Sequence, residues 1–271
     1  MPTDVATIVI PTYNGKHLLE RHLPSVMSAS ERSDLEIIVV DNASTDGTGE
    51  WLSEIFPAVR HIRLETNTGS GGAYNAGARE AGHPIVIFLN NDVDVEPDFV
   101  GPLVDDLSDP GLFAVSSKIL IPTRGNENES IHRISFPSCL LSLSRVKPEP
   151  EDRRFLIPYA CGAACAVRKK DFLDLGGFDP LFAPGALEDV DLGYRAWKRG
   201  CKVLYEPCSI VLFRPFELVL AVILGKQAFV VGFFQALGKL SEVLRRRRSN
   251  RGVEVRDEEI VDLINEQHDS G

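Results

Sequence analysis

Short apolar segments rich in β-branched residues alternate with amphipathic segments along the first hundred residues. The apolar segments have the length of buried strands, and the amphipathic segments repeat their apolar positions every three or four residues, as helices do. The predicted strands cover residues 5–10, 35–41, 59–65 and 84–90, and the predicted helices cover 15–30, 47–56 and 70–82. Apolar strands joined by helices are typical of a parallel sheet covered on both faces, so the pattern predicts an α/β fold.

A polar stretch follows each of these predicted strands. The four stretches read PTYNG (11–15), DNASTDGT (41–48), TNTGSGGAYNAG (66–77) and NNDVDVEPD (90–98). Because the carboxyl ends of parallel strands lie along one edge of a sheet, and ligands of such sheets bind there, these stretches are expected to converge on one site.

The rest of the chain is less regular. Residues 101–157 contain polar, loop-like segments, whereas 189–200 is predicted to be a helix that ends at Gly200, followed by a strand over 201–207. Residues 216–248 are apolar and then strongly basic, but Lys226 and Gln227 interrupt the apolar part, which is too short and polar for a spanning helix. This segment either packs on protein or lies at a membrane surface. The acidic residues 256–271 are expected to be frayed, with at most one short helix.

The composition is that of a globular protein. The 271 residues are 44% hydrophobic and 25% charged, and the formal net charge is −10. This negative charge argues against nucleic-acid binding, but a nucleotide remains compatible because a divalent cation can bridge carboxylates and a diphosphate. The five cysteines contain no CxxC pair, which favours packed thiols over disulfides or a zinc site. The N-terminus lacks the pattern of a signal peptide, so a cytoplasmic location is expected.

Asp92 and Asp94 follow the fourth predicted strand directly. In an extended chain the two side chains point to the same side. Carboxylates at the carboxyl end of a strand suit Mg²⁺ or Mn²⁺, which bind through one or two carboxylates together with phosphates. The alternative is a solvated turn, since Asp and Asn are common at strand ends.

Three other polar stretches contain candidate residues. Asp41 ends the second strand, where its carboxylate is suited either to bond a base or ribose or to form an Asx-type turn. The glycines of 66–77 match neither the GxGxxG fingerprint nor a P-loop, and they indicate close backbone approach instead. Glu188, Asp189 and Asp191 fall at a helix start, where acidic residues either cap the helix or present a general base.

Taken together, the motifs resemble the inverting family 2 glycosyltransferases with a GT-A fold. The motifs are IVIPTYNG, IIVVDNASTDGT, NTGSGGAYNAG, IFLNNDVDVEPD, CGAACAVRKKDFLDLGGFDPLF and EDVDLGYRAWKRGCKVLYEP. They follow the family's order over residues 5–207 and are most similar to bacterial rhamnosyltransferase-like enzymes of surface polysaccharide synthesis. The resemblance implies a Rossmann-like, mostly parallel sheet flanked by helices, with a C-terminal helical extension.

The resemblance also implies roles for individual residues. Asp189 is the expected catalytic base, supported by Glu188 and Asp191. Asp92 is the expected ligand of a Mg²⁺ or Mn²⁺ ion, with Asp94 as a second candidate. The residues expected to bind the nucleotide and the donor sugar are Pro11, Thr12, Tyr13, Asp41, Asn75, Asn91, Asp92, Gly162 and Ala163.

The implied reaction moves a sugar from a dTDP- or UDP-sugar, with rhamnose as one candidate, to a hydroxyl of a glycan or lipid-linked acceptor. Two positions depart from the family pattern: Asn90 occupies the first position of the DxD triplet, and Phe213 stands where many members have a metal- or diphosphate-binding histidine. These departures keep open the alternative of a non-catalytic, nucleotide-sugar-binding or degenerate subunit.

The expected organisation has two parts. Residues 1–213 form the GT-A domain, with a nucleotide-sugar half over about 1–100 and an acceptor half over about 101–213. Residues 214–271 form an amphipathic helix, a basic run and an acidic tail. Peripheral membrane contact through 216–248 and a homodimer are further interactions compatible with this organisation.

Overall fold

The computed structural model describes residues 6–30, 35–128, 130–135, 142–145, 152–184, 187–214 and 255–269. The strands are β1 Ala6–Thr12, β2 Leu35–Asp41, β3 Arg60–Arg63, β4 Ile85–Leu89, β5 Val93–Val95, β6 Leu112–Ile121, β7 Glu127–Asn128, β8 His132–Ser135, β9 Ser142–Arg145, β10 Phe155–Leu156, β11 Ala164–Arg168 and β12 Lys202–Phe213. The helices are α1 Lys16–Ser30, α2 Thr48–Ile55, α3 Gly69–Glu80, α4 Val100–Asp106, α5 Lys169–Asp174, α6 Glu188–Lys198 and α7 Asp257–Asp269.

A ten-stranded mixed sheet forms the centre of the fold. Its main order is β3-β2-β1-β4-β11-β6-β12-β10, with β5 added to β12 and β7 added to β6. The strands β3, β2, β1 and β4 are mutually parallel, as predicted. Beyond them β11 runs antiparallel to both β4 and β6, while β12 is parallel to β6. The predicted α/β class is confirmed, with four adjacent parallel strands in the N-terminal half and a second parallel pair, β6 and β12, beyond β11.

The apolar residues of the N-terminal strands and of α1 are the residues that the fold buries. Strands β1 and β4 are buried on both faces, which matches their continuous apolar sequence. The buried side chains of α1 recur at the helical spacing of one face, and they are Leu19, His22, Leu23, Val26 and Ala29. Helix α3 lies so close to the sheet that a Cβ at Gly77 would come within 2.3 Å of Val9 Cγ1.

An aromatic cluster beneath the carboxyl edge of the sheet joins the two halves of the fold. Phe88 on β4 lies at its centre, with ring centroids 4.9 Å from both Tyr74 and Phe172 and 5.3 Å from Phe178. All four rings are buried. Edge-on and tilted contacts of this kind add to the free energy gained by burying the rings, so the cluster fixes α3 and α5 against β4.

The structure is more regular after residue 100 than predicted. Strand β6 is a ten-residue buried strand, and β12 continues to Phe213 because its end pairs with β5. The tail also differs from the expected frayed segment: α7 buries Ile260 and Ile264, and Asp257 accepts hydrogen bonds from Tyr194 and Lys198 of α6. The division of the chain at residue 213 stays a prediction.

The apolar and basic segment predicted over 216–248 lies outside the described residues. Within the ranges described here, no helix has both the length and the apolar character needed to cross a membrane.

A pair of neighbouring carboxylates, Asp106 and Glu206, makes stability depend on pH. The Asp106 side chain is only 10% exposed, and Arg154 contacts both Asp106 and the buried Glu206. Burial and the neighbouring Glu206 carboxylate raise the pKa of Asp106 to about 7. Because the folded state binds this proton more tightly than the unfolded state, where the pKa is about 3.9, the contribution of Asp106 to stability falls as pH rises from about 4 to 7.

Asp106→Asn is therefore expected to raise the unfolding temperature at pH 8 by a few degrees, because asparagine keeps the shape of the side chain but cannot ionise. The difference from wild type is expected to shrink at pH 5. Thermal unfolding at both pH values measures the effect, with the exposed neighbour Asp105→Asn as control. An Asp106→Asn shift that is equal at both pH values would contradict the assigned pKa.

Candidate active site

The candidate site lies where β1, β2 and β4 end at the carboxyl edge of the sheet. The backbone N–H of Asn42 donates to the carbonyl of Thr12 at 2.8 Å, and Asn91 Nδ2 donates to Thr12 Oγ1 at 3.0 Å. Gly15 lies against the same two side chains, since a Cβ there would be 2.5 Å from Asn91 Nδ2 and 2.6 Å from Thr12 Oγ1. The Asn42 side chain also bonds the fourth stretch, since Thr68 N donates to its Oδ1 at 2.9 Å. All four polar stretches that follow predicted strands therefore meet here, as expected.

Tyr13 is a large side chain presented to solvent at this edge. It is 52% exposed, whereas Pro11 and Thr12 before it are half-buried and buried. The loop beyond Tyr13 is fixed by Asn14, whose N–H donates to Ser44 Oγ at 2.9 Å and whose Oδ1 accepts from Thr45 N at 2.7 Å. An exposed ring on a fixed loop is suited to stack against a planar ligand.

Asp41 is enclosed by protein groups at the end of β2. The residue is 0% exposed, Ser44 N donates to its Oδ1 at 2.7 Å, and Arg63 Nη1 donates to its Oδ2 at 2.5 Å. Direct bonding of Asp41 to a base or ribose stays a prediction.

Asp92 carries the feature expected of a cation ligand. Burial raises the pKa of this carboxyl group, although interactions with His22 and Asn90 lower it in part. Its Oδ1 is buried and, among the described residues, has no hydrogen-bond partner. A buried carboxylate oxygen without a partner is costly unless something binds it, so the chemistry of Asp92 fits a hard divalent cation.

The described part of the chain contains no group of three or more His, Cys, Asp or Glu side chains arranged to hold a metal. A cation held by Asp92 would therefore take its other ligands from water and from the phosphates of a substrate, as Mg²⁺ commonly does.

Asp94 does not present a free carboxylate. Its Oδ1 lies 2.7 Å from His22 Nδ1, and its Oδ2 accepts from Arg214 Nε at 2.6 Å. Both oxygens are thus engaged, on strand β5 against helix α1 and the end of β12. In this structure Asp94 therefore bonds protein side chains that hold β5 in place, and its role as a second metal ligand stays a prediction.

Asn75 is buried and bonds the backbone of Phe178. Its Nδ2 donates to the carbonyl of Phe178 at 2.8 Å, and its Oδ1 accepts from Phe178 N at 2.9 Å. The side chain is buried, so its amide group joins α3 to the segment after α5. Contact of Asn75 with the donor stays a prediction.

The acidic start of α6 faces the site from the acceptor half. Burial raises the pKa of Asp189, a hydrogen bond from Gly162 N lowers it, and the nearby Glu188 charge raises it further. Gly162 N donates to Asp189 Oδ2 at 3.2 Å, and Ser70 Oγ donates to Glu188 Oε1 at 2.7 Å. The two carboxylates are thereby fixed by residues of the small-residue loop and of α3.

A chain of hydrogen bonds connects Asp189 to the end of β4. The Tyr74 hydroxyl lies 2.8 Å from Asn90 Oδ1 and 2.9 Å from the carbonyl of Gly162, and Asn90 N donates to the carbonyl of Ala163 at 3.0 Å. The predicted small-residue loop of Gly162 and Ala163 thus lies between the β4 end, which carries Asp92, and the candidate base Asp189.

Comparison with known proteins identifies the family. The family model described as "Glycosyl transferase family 2" matches residues 7–176. The chain belongs to glycosyl transferase family 2.

Relatives of known activity support the glycosyltransferase assignment. The chain is 31% identical over 241 residues to the N-acetylglucosaminyl-diphospho-decaprenol L-rhamnosyltransferase of Mycobacterium tuberculosis, covering 78% of this chain and 76% of the relative. It is 25% identical over 231 residues to human N-acetylgalactosaminyltransferase 7, covering 76% of this chain but only 35% of the relative. The chain is therefore a glycosyltransferase that is similar to rhamnosyltransferases.

Solved structures confirm the GT-A fold. GalNAc-T7, crystallised with UDP, GalNAc and Mn²⁺, superposes with a TM-score of 0.64 at 23% identity, over 78% of this chain and 44% of that one. The mannosyltransferase PcManGT from Pyrobaculum calidifontis, in complex with GDP-Man and Mn²⁺, gives a TM-score of 0.56 at 21% identity, over 76% of this chain and 56% of that one.

Phe213 lies next to the segment that contains Asp92. Phe213 pairs with Val93 across β12 and β5, and Arg214 N donates to the carbonyl of Asp92 at 3.1 Å. The position at which many family members carry a histidine thus adjoins Asp92, but its phenyl ring offers no ligand atom.

The sequence analysis gave no role to two residues that bond predicted site residues, Tyr74 and Arg63. Tyr74 lies within the glycine-rich stretch, where its ring interrupts the glycine pattern and drew no role. Arg63 is the last residue of β3, so the rule that ligands bind at strand carboxyl ends could have found it.

Proposed function

We propose that this glycosyltransferase moves a sugar from a nucleoside diphosphate to an acceptor hydroxyl with inversion at C1. The observation that carries the proposal is the chain of hydrogen bonds from Asn90 through Tyr74 and Gly162 to Asp189. It connects a carboxylate with a raised pKa to the strand end that carries Asp92, whose Oδ1 has no partner among the described residues. This reaction needs a ligand for the cation on one side of the site and a general base on the other.

Asp189 acts as the general base of the proposed reaction. Its carboxylate takes the proton from the acceptor hydroxyl, whose oxygen bonds to C1 of the sugar as the bond from C1 to the diphosphate oxygen breaks. The nucleoside diphosphate leaves with that electron pair. Burial raises the pKa of Asp189, which makes its carboxylate a stronger base. A single displacement from the opposite face needs no second carboxylate as nucleophile.

Asp92 holds the divalent cation in this proposal, Mg²⁺ or Mn²⁺. When bound, the cation neutralises the charge that develops on the leaving diphosphate. The Asp92 oxygen without a partner supports this role, and the engagement of Asp94 by His22 and Arg214 leaves Asp92 as the protein's carboxylate ligand. Thr12 and Asn91 shape the adjoining floor of the site, and the exposed Tyr13 ring stacks on the base.

The donor and acceptor are proposed from the M. tuberculosis relative. That relative's name gives L-rhamnose as the sugar and N-acetylglucosaminyl-diphospho-decaprenol as the acceptor. We infer a dTDP- or UDP-sugar donor, rhamnose first among the candidates, and a glycan or lipid-linked acceptor used in surface polysaccharide synthesis. A lipid-linked acceptor suits an enzyme at the cytoplasmic face of the membrane, where the basic segment of 216–248 would contact anionic headgroups.

The test is donor consumption by the full chain. With dTDP-L-rhamnose, UDP-N-acetylglucosamine and GDP-mannose, each with Mn²⁺, Mg²⁺ or EDTA, we expect metal-dependent release of dTDP or UDP. Chromatography of the nucleotides measures it. Metal-dependent nucleotide binding without release from any donor would instead support the non-catalytic, nucleotide-sugar-binding alternative, which Phe213 beside Asp92 favours.

A further inference from the structure

We propose that Tyr74 is a positioning residue that fixes the loop holding Asp189 when a cation binds at Asp92. Its hydroxyl does so by moving its one hydrogen bond from the side chain of Asn90 to the carbonyl of Gly162. The inference rests on the proposed function, because it needs a cation beside Asp92 and a base at Asp189. It assigns a role to a buried side chain, which acts through its protein neighbours and not by contact with the substrates.

The Tyr74 hydroxyl has two acceptors and one proton. Its oxygen lies 2.8 Å from Asn90 Oδ1 and 2.9 Å from the carbonyl oxygen of Gly162. Burial raises the pKa of Tyr74 well above its ordinary value, so the hydroxyl keeps its proton. Because a hydroxyl group has a single proton to donate, either Asn90 or Gly162 receives the full hydrogen bond, but not both at once.

The amide of Asn90 decides which acceptor receives this hydrogen bond. Burial raises the pKa of the Asp92 carboxyl group and a hydrogen bond from Asn90 lowers it, so Nδ2 donates to Asp92 while Oδ1 accepts from Tyr74. When the amide is turned by half a rotation, Nδ2 donates to the Tyr74 oxygen, and the Tyr74 proton bonds Gly162 instead. The two orientations of an asparagine amide have nearly the same shape, so both fit one packing arrangement.

Asn90 takes the second orientation when a cation occupies Asp92. Asp92 Oδ1 has no partner among the described residues, so this oxygen is available to a cation. The amide N–H groups carry partial positive charge and the amide oxygen carries partial negative charge. A nearby divalent cation therefore repels Nδ2 and attracts Oδ1, which transfers the Tyr74 hydrogen bond to Gly162.

The Gly162 carbonyl belongs to the loop that holds the candidate base. The N–H of the same residue donates to Asp189 Oδ2 at 3.2 Å. A donor on the carbonyl fixes the peptide group on the other side of a glycine, a residue with wide conformational freedom. Tyr74 is a rigid support for this loop, since it is buried and its ring packs on Phe88 and Phe178. Asp189 is thus fully positioned only after the cation is bound.

Hydrogen exchange of the Gly162 N–H, followed by NMR, tests this coupling without turnover. The probes are UDP and dTDP, each with Mg²⁺ or with EDTA. In wild type we expect Mg²⁺ to slow the exchange by about 2- to 10-fold, the equilibrium effect of one added hydrogen bond. In Tyr74→Phe the slowing should be lost, whereas Mg²⁺-dependent nucleotide binding should persist, weakened by no more than about the same factor.

Two further variants separate coupling from folding. Asn90→Ala removes the amide that selects the acceptor, so Tyr74 should bond Gly162 in every condition and exchange should be slow with EDTA as well as with Mg²⁺. Tyr205→Phe is the matched control, because it removes a buried hydroxyl that accepts from Asn128 Nδ2 at 2.8 Å. This control should keep both the slowing by Mg²⁺ and the kcat of wild type.

Steady-state kinetics provide a second readout. Tyr74→Phe is expected to lower kcat by about 10-fold, more than it weakens metal-dependent binding, because the base is less well placed. A hydroxyl that only stabilised the aromatic cluster would lower the unfolding temperature and leave both the exchange and kcat unchanged.

Slowing by Mg²⁺ that persists in Tyr74→Phe, or fast exchange of Asn90→Ala in EDTA, overturns the inference. A wild type that binds nucleotide with Mg²⁺ but shows no slowing overturns it as well. In these cases metal-dependent binding and donor consumption by wild type still support the proposed function. If Tyr74→Phe does not fold, the exchange of Asn90→Ala decides. If wild type binds no nucleotide with or without metal, the proposed function fails and this inference fails with it.

Discussion

Asp189→Asn is expected to lower kcat by about 10²–10⁴-fold, the usual contribution of a general base. The nucleotide should bind as in wild type, because Asp189 lies on the acceptor side of the Gly162 loop and asparagine keeps its shape. Steady-state rates with a saturating donor and calorimetric Kd values measure the two effects. The matched control is Asp191→Asn on the same helix, whose carboxylate pairs with Arg195 and which should keep most of the activity.

The pH profile provides an independent readout for Asp189. The base must be ionised, and both burial and the Glu188 charge raise the pKa of Asp189, so activity should fall as pH drops through this raised value. Glu188→Gln removes the neighbouring negative charge and should shift the acidic limb of the profile to lower pH. An acidic limb that stays unchanged in Glu188→Gln, or full activity of Asp189→Asn, would exclude Asp189 as the base.

Asp92→Asn is expected to abolish the metal dependence of nucleotide binding and to lower kcat by about 10³-fold. This loss in kcat is expected because a Lewis-acid cation stabilises the transition state by several kcal/mol, and each 1.4 kcal/mol changes the rate about tenfold. Calorimetry with UDP or dTDP, with Mn²⁺ and with EDTA, measures the binding. Asp94→Asn is the matched control, since both Asp94 oxygens bind protein side chains; equal loss of the metal effect in that variant would restore Asp94 as a ligand.

The stability of Asp92→Asn distinguishes a lost ligand from a damaged fold. Burial raises the pKa of Asp92, so the ionised carboxylate destabilises the folded state at pH values above its unfolded pKa. Asparagine carries no charge, and the variant should therefore unfold at the same or a higher temperature than wild type at pH 8 without metal. A residue whose loss stabilises the protein but stops the reaction is retained for function.

The N-terminal half of the fold could be predicted closely because its strands are buried on both faces. The predicted strand 35–41 coincides with β2, and the others differ from β1, β3 and β4 by one or two residues at an end. Strand β6 was missed because its centre carries Ser116 and Ser117, which are polar in sequence but fully buried. Ser117 is satisfied by Ser209, 2.9 Å away and 92 residues later, a partner that local patterning cannot supply.

The same limit applies to the protein contacts of three predicted site residues. Asp41, Asn75 and Asp94 were assigned to ligands because they follow strands or lie in a glycine-rich stretch, and the sequence offered no view of their partners. Arg63 encloses Asp41, Phe178 satisfies Asn75, and Arg214 binds Asp94 from 120 residues away. Asp92 remained a candidate because no distant group satisfies its Oδ1 among the described residues.

The sequence analysis expected a frayed segment where α7 lies, because the acidic composition of this segment is typical of a solvated tail. Two isoleucines four residues apart are enough to bury one face, and Asp257 adds hydrogen bonds to Tyr194 and Lys198. These contacts fasten α7 to α6, the helix that begins with the proposed catalytic base. The tail therefore supports the acceptor side of the site.

The measurement that tests the central claim most directly is release of nucleoside diphosphate from dTDP- and UDP-sugars by wild type, Asp189→Asn and Asp92→Asn, with nucleotide binding recorded for the same preparations. The account predicts metal-dependent release by wild type, binding without appreciable release by Asp189→Asn, and loss of both the metal effect and release in Asp92→Asn. Equal release by wild type and Asp189→Asn, or metal-dependent binding that persists in Asp92→Asn, would contradict it.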